Sequence, residues 1–294
     1  MPPSSPPRRL FCFGLGYVAR ALAGALGPQG WAVAGTCRSE DKRRVREAGG
    51  IEAFLFDGEA PLADARAALA GTTQLLVSLP PGAGGDAALA HHARDVAAVE
   101  TLEWIGYLST TGVYGDHRGL WVDEETPLAP SGERGTRRAD AENHWLELWS
   151  SFGVPVHVFR LAGIYGPGRS PLDQVRAGAA RRIDKPGQVF SRIHVDDIVA
   201  VLRASIARPR GGRAYNVCDD RPAPPAEVVA FACELLGVAP PPLVWFEDAG
   251  LSPLARSFYA DNKRVRNDRI KQELGVTLRY PDYESGLRAL LDQS

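Results

Sequence analysis

Two glycines one residue apart, Gly14 and Gly16, close an apolar run at Leu10–Phe13, and Ala19 follows three positions later. Small and helix-forming residues continue through Ala21, Leu22, Ala23, Ala25 and Leu26. The spacing reads as strand, tight turn and helix, G-x-G-x-x-A, and the chemistry it suits is holding the pyrophosphate of a dinucleotide. Gly14 permits a turn that a side chain would obstruct. Gly16 lets the backbone approach the phosphates, and Ala19 lets the helix lie close on the strand. The helix start, Tyr17, Val18 and Ala19, offers backbone N–H groups and a positive dipole end. The plainer reading is a β–α turn with no ligand.

Where an NAD site carries an acid about twenty residues past the glycines, this chain reads Thr36-Cys37-Arg38-Ser39. Arg38 is a planar fork suited to a 2′-phosphate, and Ser39 adds a donor, so the pattern favours NADP over NAD. The other reading of Arg38 is a solvated surface residue.

These residues need a frame. Strand patterns at Trp31–Thr36, Glu52–Phe56, Gln74–Leu79 and Trp104–Ser109 alternate with helical patterns at 39–48, 61–70 and 86–102. That alternation predicts an α/β fold with a doubly wound parallel sheet. Gly112–Gly135 reads as a long loop rich in Gly, Pro and acids, a length that often marks function. Arg137–Ser150 reads as a helix with Trp145 and Trp149 on one face, and Pro155–Leu161 as a sixth strand. Further on, strands are expected at Val189–Val195 and Ala214–Cys218, and helices at Asp196–Ala207, from Pro225 to Leu236, near Asn262 and from Tyr283.

Composition narrows the function. The 294 residues carry a net charge of −1, 45% apolar and 23% charged residues, so nothing in bulk charge favours nucleic acid or an anionic membrane. Cys12, Cys37, Cys218 and Cys233 form no C-x-x-C and no zinc-like spacing with histidine, so no metal is expected and a reducing cytoplasm is the natural compartment. Residues 1–7, rich in Pro and Ser, read as a disordered tail, and the apolar run before Gly14 is too short for a signal peptide. No apolar stretch reaches bilayer length.

At Ser109-Thr110-Thr111-Gly112-Val113-Tyr114-Gly115 the chain resembles the extended short-chain dehydrogenases/reductases, the sugar-nucleotide epimerase/dehydratase group. Other stretches agree in order: Arg160 through Tyr165-Gly166-Pro167-Gly168, Ile193-His194-Val195-Asp196-Asp197, Tyr215-Asn216-Val217, and Asn262-Lys263-Arg264-Val265, which resembles an atypical NAD(P)-binding branch. The resemblance implies a Rossmann domain over 1–165, to which about 189–217 returns, and a smaller C-terminal α/β substrate domain over 166–294. It puts Thr110 at the hydroxyl that bonds the reacting oxygen, Ser78, Leu79 and Pro80 beside the cofactor, and Asp57 near the adenine. Thr110 has a second reading as a strand-end cap, and Asp57 as a turn residue. The resemblance also implies pairing of two copies through a helix like Arg137–Ser150.

One departure matters. The family's Tyr-x-x-x-Lys pair falls on Arg134 and Arg138 when Ala141-Glu142 anchors the alignment. Arg138 can still donate to a ribose, but arginine does not deprotonate in proteins, so the usual proton donor is missing. Tyr114 or Tyr165 could stand in for it. Thr111, Arg134 and Tyr165 are candidates to hold a small substrate, and Arg134, Arg169 and Arg181 suit an anionic one. The expected function is an NADP-dependent oxidoreductase or epimerase-like enzyme; the alternative is a non-catalytic NADP-binding redox sensor or scaffold.

Overall fold

A computed structural model describes residues 8–292; the tail expected at 1–7 lies outside the described residues. In chain order the first half contains β1 Arg9–Phe13, α1 Tyr17–Leu26, β2 Ala32–Cys37, α2 Glu40–Ala48, β3 Glu52–Leu55, α3 Ala65–Leu69, β4 Gln74–Val77, α4 Ala87–Ala97, β5 Trp104–Thr110, β6 Trp121–Val122 and α5 Glu133–Phe152. Then follow β7 Val156–Leu161, β8 Gly163–Tyr165, α6 Pro171–Arg176, β9 Arg182–Asp184, β10 Arg192–His194, α7 Val195–Ala207 and β11 Arg213–Val217. The chain continues with α8 Pro225–Leu235, β12 Leu243–Trp245, α9 Pro253–Phe258, β13 Arg264–Val265, α10 Asp268–Leu274 and α11 Tyr283–Asp292.

Seven strands form one sheet in the order β11-β7-β5-β4-β1-β2-β3. The pairings of β1 with β2 and β4, of β2 with β3 and of β4 with β5 are parallel. The order reverses direction between β1 and β4, the switch point where doubly wound sheets bind ligands. Strands buried on both faces need near-continuous apolar runs, and β4 and β7 are buried throughout. Side chains of β1, β4, β5 and β7 (Phe11, Leu75, Ile105, Val156) pack with α4 and α5 in one core. Ala19, Leu22 and Leu26 of α1 are buried as well.

The described chain divides into two compact units. The first holds the chain through Ser109, Arg137–Phe159 and Leu202–Ala214; the second holds Thr110–Thr136, Arg160–Val201 and the chain from Tyr215 on. In the second, Tyr165, Leu172, Val228 and Leu287 centre a core of their own, beside three two-stranded pairings, β10-β8, β12-β9 and β13-β6. Cys12 and Cys37 are buried in the first unit, Cys218 and Cys233 in the second.

Several local expectations need correcting. Residues 112–135 are less of a loop than their composition suggests: Thr111–Tyr114 forms a tight helical turn, β6 pairs with β13, and α5 begins at Glu133, not Arg137. Glu133 is an acid in the first turn of α5, where the helix dipole favours it. No helix starts at Asn262. Its amide donates to Asp116, its carbonyl accepts from His117 and Gly119, and its side chain bonds Val189 and Gly187, so it ties loops together and α10 begins only at Asp268. Trp145 and Trp149 part company too. Trp145 is buried and donates to Asp86. Trp149 lies over Gly211 and Gly212, where an added Cβ would come within 2.7 and 2.5 Å of its indole. Among the described residues no helix is long and apolar enough to cross a membrane.

Candidate functional site

Gly14 is the hinge of the first unit's site. Its φ is +90°, a conformation that side chains rarely adopt. Its amide donates to Thr36 Oγ1 at 2.8 Å, and its carbonyl accepts from Ser78 Oγ at 2.5 Å. An added Cβ would sit 2.8 Å from Leu79 Cδ2. So the ends of β2 and β4 grip the turn from both sides. Gly16 differs: it is exposed, and the nearest atom to an added Cβ is Ser78 Oγ at 3.7 Å. The space over Gly16 is open, α1 has no side-chain cap and no acid in its first turn, and Val18 and Ala19 are buried, so they offer backbone N–H groups, not side chains. A helix start with no side-chain cap and no acid in its first turn, preceded by a glycine turn, suits a pyrophosphate.

Around the turn, Arg38 stands exposed just past β2. Ser39 caps α2 by accepting from the Lys42 amide, which leaves its hydroxyl proton for another acceptor. Asp57 is exposed after β3 and accepts from the Glu59 amide at 3.0 Å, closing a turn with one oxygen. Ser78 and Leu79 are half-buried against Gly14 and Pro80 is exposed. Arg138 is half-buried on α5; its Nη1 donates to the Leu108 carbonyl at 2.8 Å and the Tyr107 hydroxyl at 3.2 Å. Next to it in the strand, Ser109 donates to the fully buried carboxylate of Glu142.

In the second unit, Thr110 Oγ1 accepts from the Gly112 amide at 3.1 Å and caps the turn that carries Thr111 and Tyr114. The hydroxyl proton is left to point elsewhere. Tyr114 is fully buried. Its hydroxyl donates to Asn216 Oδ1 at 2.7 Å and accepts from Arg160 Nη1 at 2.8 Å. Burial pushes this phenol up to about 12, against the pull of Arg160. A proton so held is poorly placed to leave. The Asn216 backbone N–H donates to Glu124 Oε1 at 2.8 Å, and burial raises the Glu124 carboxyl's pKa. Tyr165 is core: its hydroxyl meets the Asp282 carbonyl at 3.4 Å, and burial raises its pKa. Arg134 is exposed on the first turn of α5, its guanidinium 4.7 Å from the Phe258 ring centre. Asp197 accepts the amides of Arg279 and Tyr280 and pins the chain before α11.

Thr36, Glu142 and the Tyr114–Asn216–Arg160 set were not singled out from the sequence as one site. A lone threonine at a strand end carries no local signal, and the partners in the other sets are up to 102 residues apart. Among the described residues no group of three or more His, Cys, Asp or Glu could hold a metal.

Comparison with known proteins gives this geometry a family. The chain is 30% identical over 285 residues to protein YeeZ of Escherichia coli strain K12, covering 94% of this chain and 97% of that protein. A solved structure of a functionally unknown conserved protein from Silicibacter pomeroyi is 54% identical, with a TM-score of 0.90 over 98% of this chain and 99% of that one. The dTDP-glucose 4,6-dehydratase of Bacillus anthracis, solved in complex with NAD, has the same fold at a TM-score of 0.76 and 16% identity, over 97% of this chain and 96% of that one. The sequence model of the NAD dependent epimerase/dehydratase family matches residues 83–218. The switch-point glycine turn and the V-Y-G turn thus sit in a chain that belongs to the NAD-dependent epimerase/dehydratase family.

Proposed function

We propose that the protein is a nicotinamide-dinucleotide oxidoreductase or epimerase-like enzyme acting on a small molecule. The observation that carries this reading is the gripped Gly14 turn beside an open Gly16 and an uncapped helix start. Gly14, Gly16 and the amides of Tyr17, Val18 and Ala19 hold the pyrophosphate; Ser78, Leu79 and Pro80 flank the cofactor; Asp57 lies toward the adenine; Arg138 serves the ribose. When bound, the nicotinamide supplies hydride transfer. Thr110 holds the reacting oxygen, and Thr111 and Arg134 shape the substrate side; Tyr165, buried in the second unit's core, supports that side from within.

The choice of dinucleotide rests on Arg38. The Bacillus anthracis dehydratase with the same fold binds NAD, yet here a guanidinium fork stands past β2 where an acid would select a free 2′-hydroxyl. We infer a preference for NADP. Fluorescence titration with NADPH and NADH tests both points. Arg38→Ala should weaken NADPH about tenfold or more and leave NADH within about twofold, one charged fork being worth roughly 1.5–3 kcal/mol. Equal losses sink the NADP preference, and binding of neither dinucleotide sinks the function. Arg134 in the tyrosine place supports a second reading, a redox sensor; tight binding with no turnover, and a cofactor-dependent change in association, favours it.

A further inference from the structure

Hydride addition to a carbonyl leaves an oxygen that needs a proton, and both candidate tyrosines are occupied. Tyr114 gives its proton to Asn216, and Tyr165 is packed in the second unit's core. Arg134 cannot give one. Lys263 remains, in the Asn262-Lys263-Arg264 stretch.

Its surroundings are built. Lys263 Nζ donates to the Gly115 carbonyl at 2.8 Å and lies 3.4 Å from Asp261 Oδ2. Gly115 ends the turn that Thr110 caps. Asp261 accepts the hydroxyl of Ser131, three residues before Arg134. The two segments touch as well: a Cβ on Gly115 would collide with the Ala129 carbonyl, and one on Gly135 would lie 3.1 Å from the Gly112 carbonyl. Lys263 therefore bridges the stretch that carries Thr110 and the stretch that carries Arg134. Its backbone is fixed by the Asn262 junction. Gln188, itself buried, donates to the Asp261 carbonyl at 2.8 Å, while its Oε1 is a buried acceptor with no partner. The Lys263 side chain is about 10% exposed. Desolvation lowers the ammonium's pKa, and the Asp261 and Asp116 carboxylates work against that. The His117 Nε2 is engaged with the Tyr114 carbonyl at 3.1 Å.

We propose that Lys263 is the proton-carrying group of the substrate side, in the role that the missing tyrosine leaves open. This rests on the oxidoreductase reading above. In the reducing direction a bound reduced nicotinamide would supply the hydride for the new C–H bond, the carbonyl π bond opening toward oxygen. An N–H bond of the Lys263 ammonium then breaks and its proton goes to that oxygen. The products are alcohol, oxidised nicotinamide and neutral amine, which water reprotonates. Oxidation runs the same steps backward.

The test uses the full chain and two readouts. Trace labelling with fluorodinitrobenzene, from neutral pH to about 11 and read by peptide mass spectrometry, gives the titration of each lysine. Lys263 should label with a midpoint below the ordinary lysine value of about 10.4. Separately, NADH and NADPH oxidation is followed with a panel of aldehydes, ketones and 9,10-phenanthrenequinone. Lys263→Met should lower turnover about a hundredfold, with dinucleotide affinity within about twofold and an unchanged melting profile. Lys263→Arg keeps the bond to Gly115 and should not restore turnover; if it does, Lys263 is only a clamp. A Lys263 that the reagent does not reach, or that titrates at the ordinary lysine value of about 10.4, overturns the assignment while dinucleotide binding leaves the cofactor reading intact. Wild-type protein that binds dinucleotide but reduces nothing in the panel also overturns it. Loss of dinucleotide binding in the wild type marks failure of the parent reading instead.

Discussion

Gly14 and Gly16 look alike in sequence and should behave in opposite ways. Gly14 holds φ +90° with Leu79 and Ser78 closing on it, so Gly14→Ala should cost about 1–3 kcal/mol of stability and abolish cofactor binding. Gly16 has room for a methyl group on the protein side. Gly16→Ala should keep the melting midpoint within the range of a neutral substitution, about 0.5 kcal/mol, and still weaken dinucleotide binding by blocking the phosphates. Melting curves with and without NADPH separate the two: if Gly16→Ala destabilises the free protein as much as Gly14→Ala, the cradle has been misplaced.

At the scale of elements, α4 shows how one side chain can serve two helices. Asp86 caps α4 through the Leu89 amide at 3.1 Å and accepts from Trp145 Nε1 of α5 at 3.3 Å. Asp86→Ala removes a cap and orphans a buried indole N–H, so a loss of about 2 kcal/mol is expected in urea unfolding. Asp86→Asn, which retains an acceptor, should lose less; equal losses would assign the effect to charge. Elements such as these were largely legible in the sequence. The apolar runs of β1, β2, β4 and β5 mark strands because both faces of a parallel sheet are buried, and Ser39 marks the start of α2 because a serine there satisfies a free amide. Asn262 misled because a junction made of long-range backbone bonds has no period. Glu133–Gly135 reads as loop because Gly135 breaks the helical pattern; the structure needs a glycine there, since a Cβ would meet Pro130 at 2.8 Å. The residues of the glycine site were legible for the same reason as the strands, being local. Thr36's grip on Gly14 and the Tyr114–Asn216 bond were not, because each joins elements distant in sequence.

For the whole molecule, two buried groups give the units opposite responses to pH. His157 accepts the Arg210 amide on Nε2 at 2.7 Å, while its Nδ1 faces the Ile105 carbonyl at 3.2 Å, an arrangement for neutral imidazole. Burial pushes it down to about 4. Below about 6.5 the unfolded chain takes up a proton that the folded one refuses, so stability falls as pH drops toward 4. Asp219 does the reverse: burial pushes it up to about 8, despite Arg192. Between about 4 and 8 the folded form binds the extra proton, so this carboxyl makes stability fall as pH rises. His157→Gln should remove the loss of stability between about pH 6.5 and 4, and Asp219→Asn the loss as pH rises from about 4 to 8. A profile unchanged by either substitution would mean that neither group titrates with folding. Pairing of two copies, proposed through α5, would cover Phe152, which is 68% exposed. Phe152→Asp should then halve the mass seen by light scattering, and an unchanged mass places any pairing elsewhere.

The placement of the cysteines gives each unit its own clock. Cys12 and Cys37 lie in one unit, Cys218 and Cys233 in the other, and all four are shut away from solvent. A thiol reagent therefore reacts only when the surrounding structure opens. Timed trapping in mild urea, read peptide by peptide, reports the opening rate of each unit without a label or a mutation. Equal rates at all four sulfurs would show the chain opening as one body; two distinct rates would show that the half holding the glycine turn can outlast, or yield before, the half holding Lys263.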